Sequence, residues 1–128
     1  MHELAIAQGI VDALEAQATI CNAARVKSVR LRIGEASGIV TDSLVFCFEM
    51  LASLEPVLAG AQALIEHVPH RARCRHCDRE FAVERFTAQC PACAGWDTEV
   101  ISGTELQIVE MEFEAQPGTT NPQQSKEG

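Results

Sequence analysis

Cys74-Arg75-His76-Cys77, then twelve residues, then Cys90-Pro91-Ala92-Cys93 is the stretch that decides how this chain of 128 residues is organised. The two residues between paired sulfurs let a tight turn aim both at one point, so two such pairs can surround one metal ion with four thiolates. Zn2+ has no d-electron preference and accepts the resulting tetrahedron at Zn–S distances of about 2.3 Å. The competing reading is free or disulfide-paired cysteines. A closed four-thiolate shell leaves no open position for chemistry, which makes Zn2+ here a structural staple and not a catalyst.

Outward from the cysteines, the chain reads as strands and helices. Ala63-Leu64-Ile65-Glu66-His67-Val68 precedes Pro69 and reads as a strand, and Glu105 to Phe113 reads as another. The cysteine segment lies between them, so it is an excursion from a larger body. In the last strand the apolar alternation changes phase between Ile108 and Val109, which predicts a bulge there or burial on both faces. Further back, Ser28-Val29-Arg30-Leu31-Arg32-Ile33 alternates and stops at Gly34, as a strand with one wet face should. Leu4, Ala7, Val11, Leu14 and Ala18 recur at helical steps. Thr41, Asp42 and Ser43 offer N-capping oxygens for a second helix carrying Leu44, Cys47, Phe48 and Leu51 and ending before Pro56.

The expected class is therefore α+β, with two helices packed on a three-stranded sheet and an inserted four-cysteine zinc-ribbon subdomain. Residues 1–70 with the strand 101–115 form the body, 71–100 the inserted zinc-binding part, and 116–128 a disordered tail whose polar composition cannot offset ordering entropy.

Eighteen carboxylates against ten Lys and Arg give a formal charge of −8, which disfavours nucleic acid as a partner. The five arginines between Arg71 and Glu99 offer no basic patch, because Asp78, Glu80, Glu84, Asp97 and Glu99 match them. No stretch approaches a transmembrane run and the N-terminus lacks the pattern of a signal peptide, so no membrane partner and a cytoplasmic location are expected.

A second chemical feature stands at the start. With His at position 2, its imidazole, its own backbone nitrogen and the α-amine of Met1 can all reach one metal ion, forming adjoining chelate rings. These donors suit a planar, nitrogen-seeking ion such as Ni2+ or Cu2+. The backbone nitrogen must lose its proton, so binding weakens as pH falls. Three nitrogens leave one position that Glu3, another carboxylate, water or a partner's donor could fill. The bland alternative is a solvated terminal histidine, with Glu3 serving only the helix dipole.

Other chemistry-bearing residues read as structural. His76 points outward beside four better ligands, and His67 and His70 are expected to be surface histidines near the junction of body and ribbon. Cys47 is expected as a buried thiol on the second helix and Cys21 as the end of the first.

Several of these segments together resemble the HypA/HybF family of hydrogenase nickel incorporation proteins, over about residues 1 to 114. The likeness rests on Met1-His2-Glu3-Leu4, Arg32-Ile33-Gly34-Glu35, Leu44-Val45-Phe46-Cys47-Phe48-Glu49, the two cysteine pairs, and Ile101-Ser102-Gly103-Thr104-Glu105-Leu106. It implies a nickel metallochaperone, not an enzyme, carrying Ni2+ as cargo on Met1, His2 and Glu3 and structural Zn2+ on Cys74, Cys77, Cys90 and Cys93. It also implies as partners a HypB-type GTPase and the large-subunit precursor of a [NiFe] hydrogenase, with urease maturation proteins as further clients in some relatives, and a monomer or weak homodimer. Asp42 is the nearest match to a further carboxylate that is a candidate nickel ligand in some relatives. Asp78 and Ala94 follow the cysteine pairs where zinc knuckles often place glycine, which predicts less regular loops. The alternative to nickel delivery is a zinc-ribbon adaptor or nucleic-acid-binding module, against which the acidic balance and the scarcity of ribbon aromatics count. A zinc enzyme or thiol oxidoreductase would need an assembly of nucleophile and base that is not evident.

Overall fold

Helix α1 (Glu3–Cys21) turns Ala7, Ile10, Val11, Leu14 and Ala18 inward, in a computed structural model that describes residues 2–116. It stops at Asn22, whose left-handed backbone lets its N–H bond back to Ala18 and Thr19, a conformation asparagine tolerates better than most residues. By length and composition α1 could cross a membrane, but its apolar stripe is the core of the body.

Strand β1 (Ala23–Gly34) follows at once. It buries Val29, Leu31 and Ile33 on one face and holds Arg30 and Arg32 on the other. A register shift between Val26 and Ser28 places Val26 on the buried face as well. Helix α2 (Thr41–Ala52) buries Leu44, Phe48 and Ala52. A short 3-10 turn, Pro56–Leu58, plugs Leu58 into the same core before β2 (Gln62–Val68). The largest of these side chains, Leu14, Leu31, Leu44, Phe48 and Leu58, are fully buried, and each contributes about 1.5–3 kcal/mol through loss of apolar surface from water.

The remaining strands are β3 (Arg71–Cys74), β4 (Glu80–Ala82), β5 (Thr98–Ser102) and β6 (Leu106–Ala115). They complete two three-stranded sheets, β2-β1-β6 and β4-β3-β5. In the first, β1 is central, parallel to β2 and antiparallel to β6. Both helices lie over its apolar face. The other face is a row of ion pairs, Arg25–Glu114, Arg30–Glu110 and Arg32–Glu66, half exposed and worth at most about 1 kcal/mol each. The phase change in the last strand is a bulge: Arg30 pairs with Glu110 and Leu31 with Ile108, so Val109 has no partner across the ladder.

The second sheet has its own small core of Ala72, Cys74, Phe81, Val83 and Cys90. Two helices on a mixed three-stranded sheet, with a separate sheet bearing the clustered cysteines, is the class expected from the sequence. Of the tail expected over 116–128, only Gln116 is described, and its side chain donates to the Ala23 carbonyl. The rest lies outside the described residues.

Two expectations need correction. Thr41, Asp42 and Ser43 do not cap α2: Val40 is the N-cap and no side chain within the helix bonds to its start. The acceptor comes from α1, where the Glu3 carboxylate takes the Val40 N–H at 3.1 Å, the part a glutamate inside the helix plays in a capping box. His70 is not a surface residue. It is only 7% exposed, covered where the chain passes from β2 into β3.

Candidate functional site

The four cysteines meet because two hairpin-like knuckles face each other across β3. In each, the residue after the pair turns into the left-handed region, Asp78 at φ 64° and Ala94 at φ 59°. Their N–H groups bond back to the carbonyls of Cys74 and Cys90, both at 2.8 Å. The absence of glycine has therefore not made the loops irregular; the two knuckles match, at the cost of strain of roughly 1–2 kcal/mol per non-glycine residue.

The four Sγ atoms lie within 4.8 Å of one another. Cys74 and Cys93 are 3.6 Å apart, and Cys77 and Cys90 3.5 Å. A disulfide needs about 2.05 Å, whereas the edge of a tetrahedron with Zn–S of 2.3 Å is about 3.8 Å. The spacing fits a four-thiolate ion and not a bond. Cys90 is drawn down to about 6 by the Cys93 backbone N–H, against the opposing effect of burial. Cys93 is pushed up to about 11: the Gly95 N–H lowers it, but the thiols of Cys74 and Cys90 outweigh that pull. Cys74 is lowered chiefly by the Cys77 N–H. His76 is exposed and stands outside the cluster.

His2 is exposed at the head of α1, and its carbonyl accepts the Ile6 N–H that begins the helix. A cleft of about 490 Å3 opens there, lined by His2, Glu3, Leu4, Ala5, Ser43 and Cys47. Met1 lies outside the described residues, so His2 and Glu3 are the two members of the expected set that are placed. The Glu3 carboxyl is held below its ordinary value, first by the Val40 N–H and then by its own; it is anionic and already fixed in direction. Asp42 does not line the cleft.

Sequence reasoning missed Ser43 and Cys47 as neighbours of His2. Cys47, expected as a buried thiol, is only half-buried, because it packs on the body's core on one side and borders the cleft on the other. Helical spacing alone placed it on the apolar face; only the crossing of α1 and α2 shows that this face reaches the N-terminus.

Residues 1–113 match the family model described as hydrogenase/urease nickel incorporation, metallochaperone, hypA. The chain is 41% identical over 114 residues to the hydrogenase maturation factor HypA of Geobacter metallireducens, covering 89% of this chain and 100% of that one. It is 45% identical over 116 residues to the factor of the same name from Streptomyces avermitilis, covering 89% and 88%. In fold it is similar to the solution structure of the nickel metallochaperone HypA from Helicobacter pylori, with a TM-score of 0.63 at 22% identity over 91% of this chain and 100% of that one. A second solution structure of a HypA protein gives a TM-score of 0.68, also at 22% identity, covering 91% and 98%.

Proposed function

We propose, for a chain that belongs to the HypA family of hydrogenase/urease nickel incorporation metallochaperones, that its N-terminus is the nickel carrier and its cysteine ribbon a zinc-stapled platform. The family consists of metallochaperones and not enzymes, and this chain is a nickel metallochaperone of hydrogenase or urease maturation. Ni2+ is the cargo: the Met1 amine, the His2 backbone nitrogen and the His2 imidazole supply three nitrogens, and the Glu3 carboxylate stands beside them. Cys74, Cys77, Cys90 and Cys93 hold Zn2+, which ties the two knuckles together.

The observation that carries this reading is the position of His2 and Glu3. They do not pack into the core; they flank an open cleft at the start of α1, with Glu3 pinned to the start of α2. A nitrogen chelate with one open edge favours transfer over storage, since an incoming donor can bind before the last protein ligand leaves. The recipient is the large-subunit precursor of a [NiFe] hydrogenase, with a HypB-type GTPase as partner in the delivery and urease maturation as a second destination. The acidic surface suits protein partners in the cytoplasm and disfavours nucleic acid.

Equilibrium dialysis with Ni2+ tests the site. His2→Ala, and separately one extra residue ahead of Met1, should each weaken nickel binding by tenfold or more, about 1.4 kcal/mol. Unchanged affinity in both would rule out the terminal chelate.

A further inference from the structure

The two sequence segments that the metal sites leave unexplained, Ile33-Gly34-Glu35 and Ser102-Gly103-Thr104-Glu105, meet at the joint between the two sheets. Gly34 packs so closely on Gly103 that a Cβ on it would overlap the Gly103 carbonyl, and a Cβ on Gly103 would overlap the His70 backbone. Three successive N–H groups then tie the end of β1 to both connecting strands: Gly34 to the Glu105 carbonyl, Glu35 to Val68 and Ala36 to Gly103. The connections are also tied to each other, the Ser102 hydroxyl donating to the Pro69 carbonyl at 2.7 Å.

On each connection one backbone N–H is taken by a carboxylate. One belongs to Glu35, just past the end of β1; the other belongs to Glu105, two residues further along the same connection, whose own carbonyl is held by the Gly34 N–H of the body. Glu35 accepts from His70 at 3.0 Å on the way into the ribbon, and Glu105 accepts from Gly103 at 2.8 Å on the way out. His70 is the pivot. Its N–H is held by the body, its carbonyl accepts the Val83 N–H of the ribbon at 2.8 Å, and its ring meets Phe86 edge-on at 5.7 Å between centroids. The turn that brings Phe86 there puts both Arg85 and Phe86 in the left-handed region, at φ 52° and 60°.

We propose that Glu35 and Glu105 are positioning residues, a pair of carboxylate clamps that fix the orientation of the cysteine ribbon relative to the body. A charged acceptor on each of two adjacent strands resists twisting about either one, because charge-assisted bonds are shorter and stronger than neutral ones. The clamp stands whatever the cargo is. Its use, holding a partner seated on the ribbon at a set angle to the N-terminal cleft, rests on the nickel reading above.

Residual dipolar couplings on the full 15N-labelled, zinc-loaded chain test it. In the unaltered protein, amides of the body and of the ribbon should fit one alignment tensor. In Glu35→Ala and in Glu105→Ala the ribbon's alignment should drop below that of the body while zinc stays bound and shifts within each sheet persist; Glu35→Gln, which keeps an acceptor, should restore the single tensor. One tensor in both alanine variants overturns the proposal. So does loss of zinc or of ribbon shifts in both, because these residues would then serve folding and not orientation. If one variant loses the ribbon, the other decides.

Discussion

Ala94 and Asp78 show how far a single backbone angle matters. Each holds a positive φ that glycine would adopt without strain, in a loop whose shape is dictated by the sulfurs on either side. Ala94→Gly should relieve part of that strain. Against a left-handed cost of roughly 1–2 kcal/mol stands the extra freedom glycine gives the unfolded chain, about 0.5–1 kcal/mol. The net is a gain of up to about 1.5 kcal/mol, read as a higher thermal midpoint of the zinc-loaded protein; a lower midpoint would mean that the Ala94 methyl has a packing role. Gly103 is the opposite case. Gly103→Ala drives a Cβ into the His70 backbone and should cost about 3 kcal/mol in chemical denaturation, at the upper end for one residue. The four-cysteine cluster was legible in the sequence because its geometry is local, set by two-residue spacers. The glycine-on-glycine contact was not, because the partners are brought together only by the sheet.

Helix α2 starts without a cap of its own, and Glu3 of α1 supplies the missing acceptor. Folding therefore favours the ionised Glu3 carboxyl, which titrates below its ordinary 4.5. With the folded value depressed, this contribution is complete above about 4.5 and is lost as pH falls through the lower folded value. The Val40 amide shift should follow that titration, with a midpoint below 4.5; a Val40 amide indifferent to pH over that range would show that the bond does not form in solution. Periodicity identified both helices and the three strands of the body, and the broken alternation at Ile108 and Val109 marked an irregularity, a bulge or burial on both faces, which the strand pairing resolves as a bulge. Periodicity failed at the cap, since three capping-type residues in a row outweigh, in a local reading, a glutamate far along the chain. It also left β3, β4 and β5 unassigned: strands of three to five residues are too short to show a period and take their places from the cysteine knuckles between them.

Across the whole molecule, two separate cores mean that the ribbon and the body need not melt together. Cys74→Ser or Cys93→Ser should abolish zinc retention and unfold the ribbon, because a structural zinc contributes on the order of 10 kcal/mol to small domains of this kind. The α1 and α2 helical signal should survive in circular dichroism, and full zinc occupancy in either variant would contradict the four-sulfur assignment. The family, the fold class and the cysteine cluster were all readable from the chain itself. The buried setting of His70 and the neighbours of His2 were not, because both are made by long-range crossings: connecting strands in one case, two helix starts in the other. Because sulfur donors cluster in the ribbon while the expected nitrogen donors belong to the N-terminus, the kind of atom around nickel is the decisive measurement. X-ray absorption at the nickel edge, on zinc-replete protein carrying one equivalent of Ni2+, should show a shell of nitrogen and oxygen with a histidine signature that disappears in His2→Ala. Sulfur in the nickel shell, unchanged by that substitution, would contradict an N-terminal carrier.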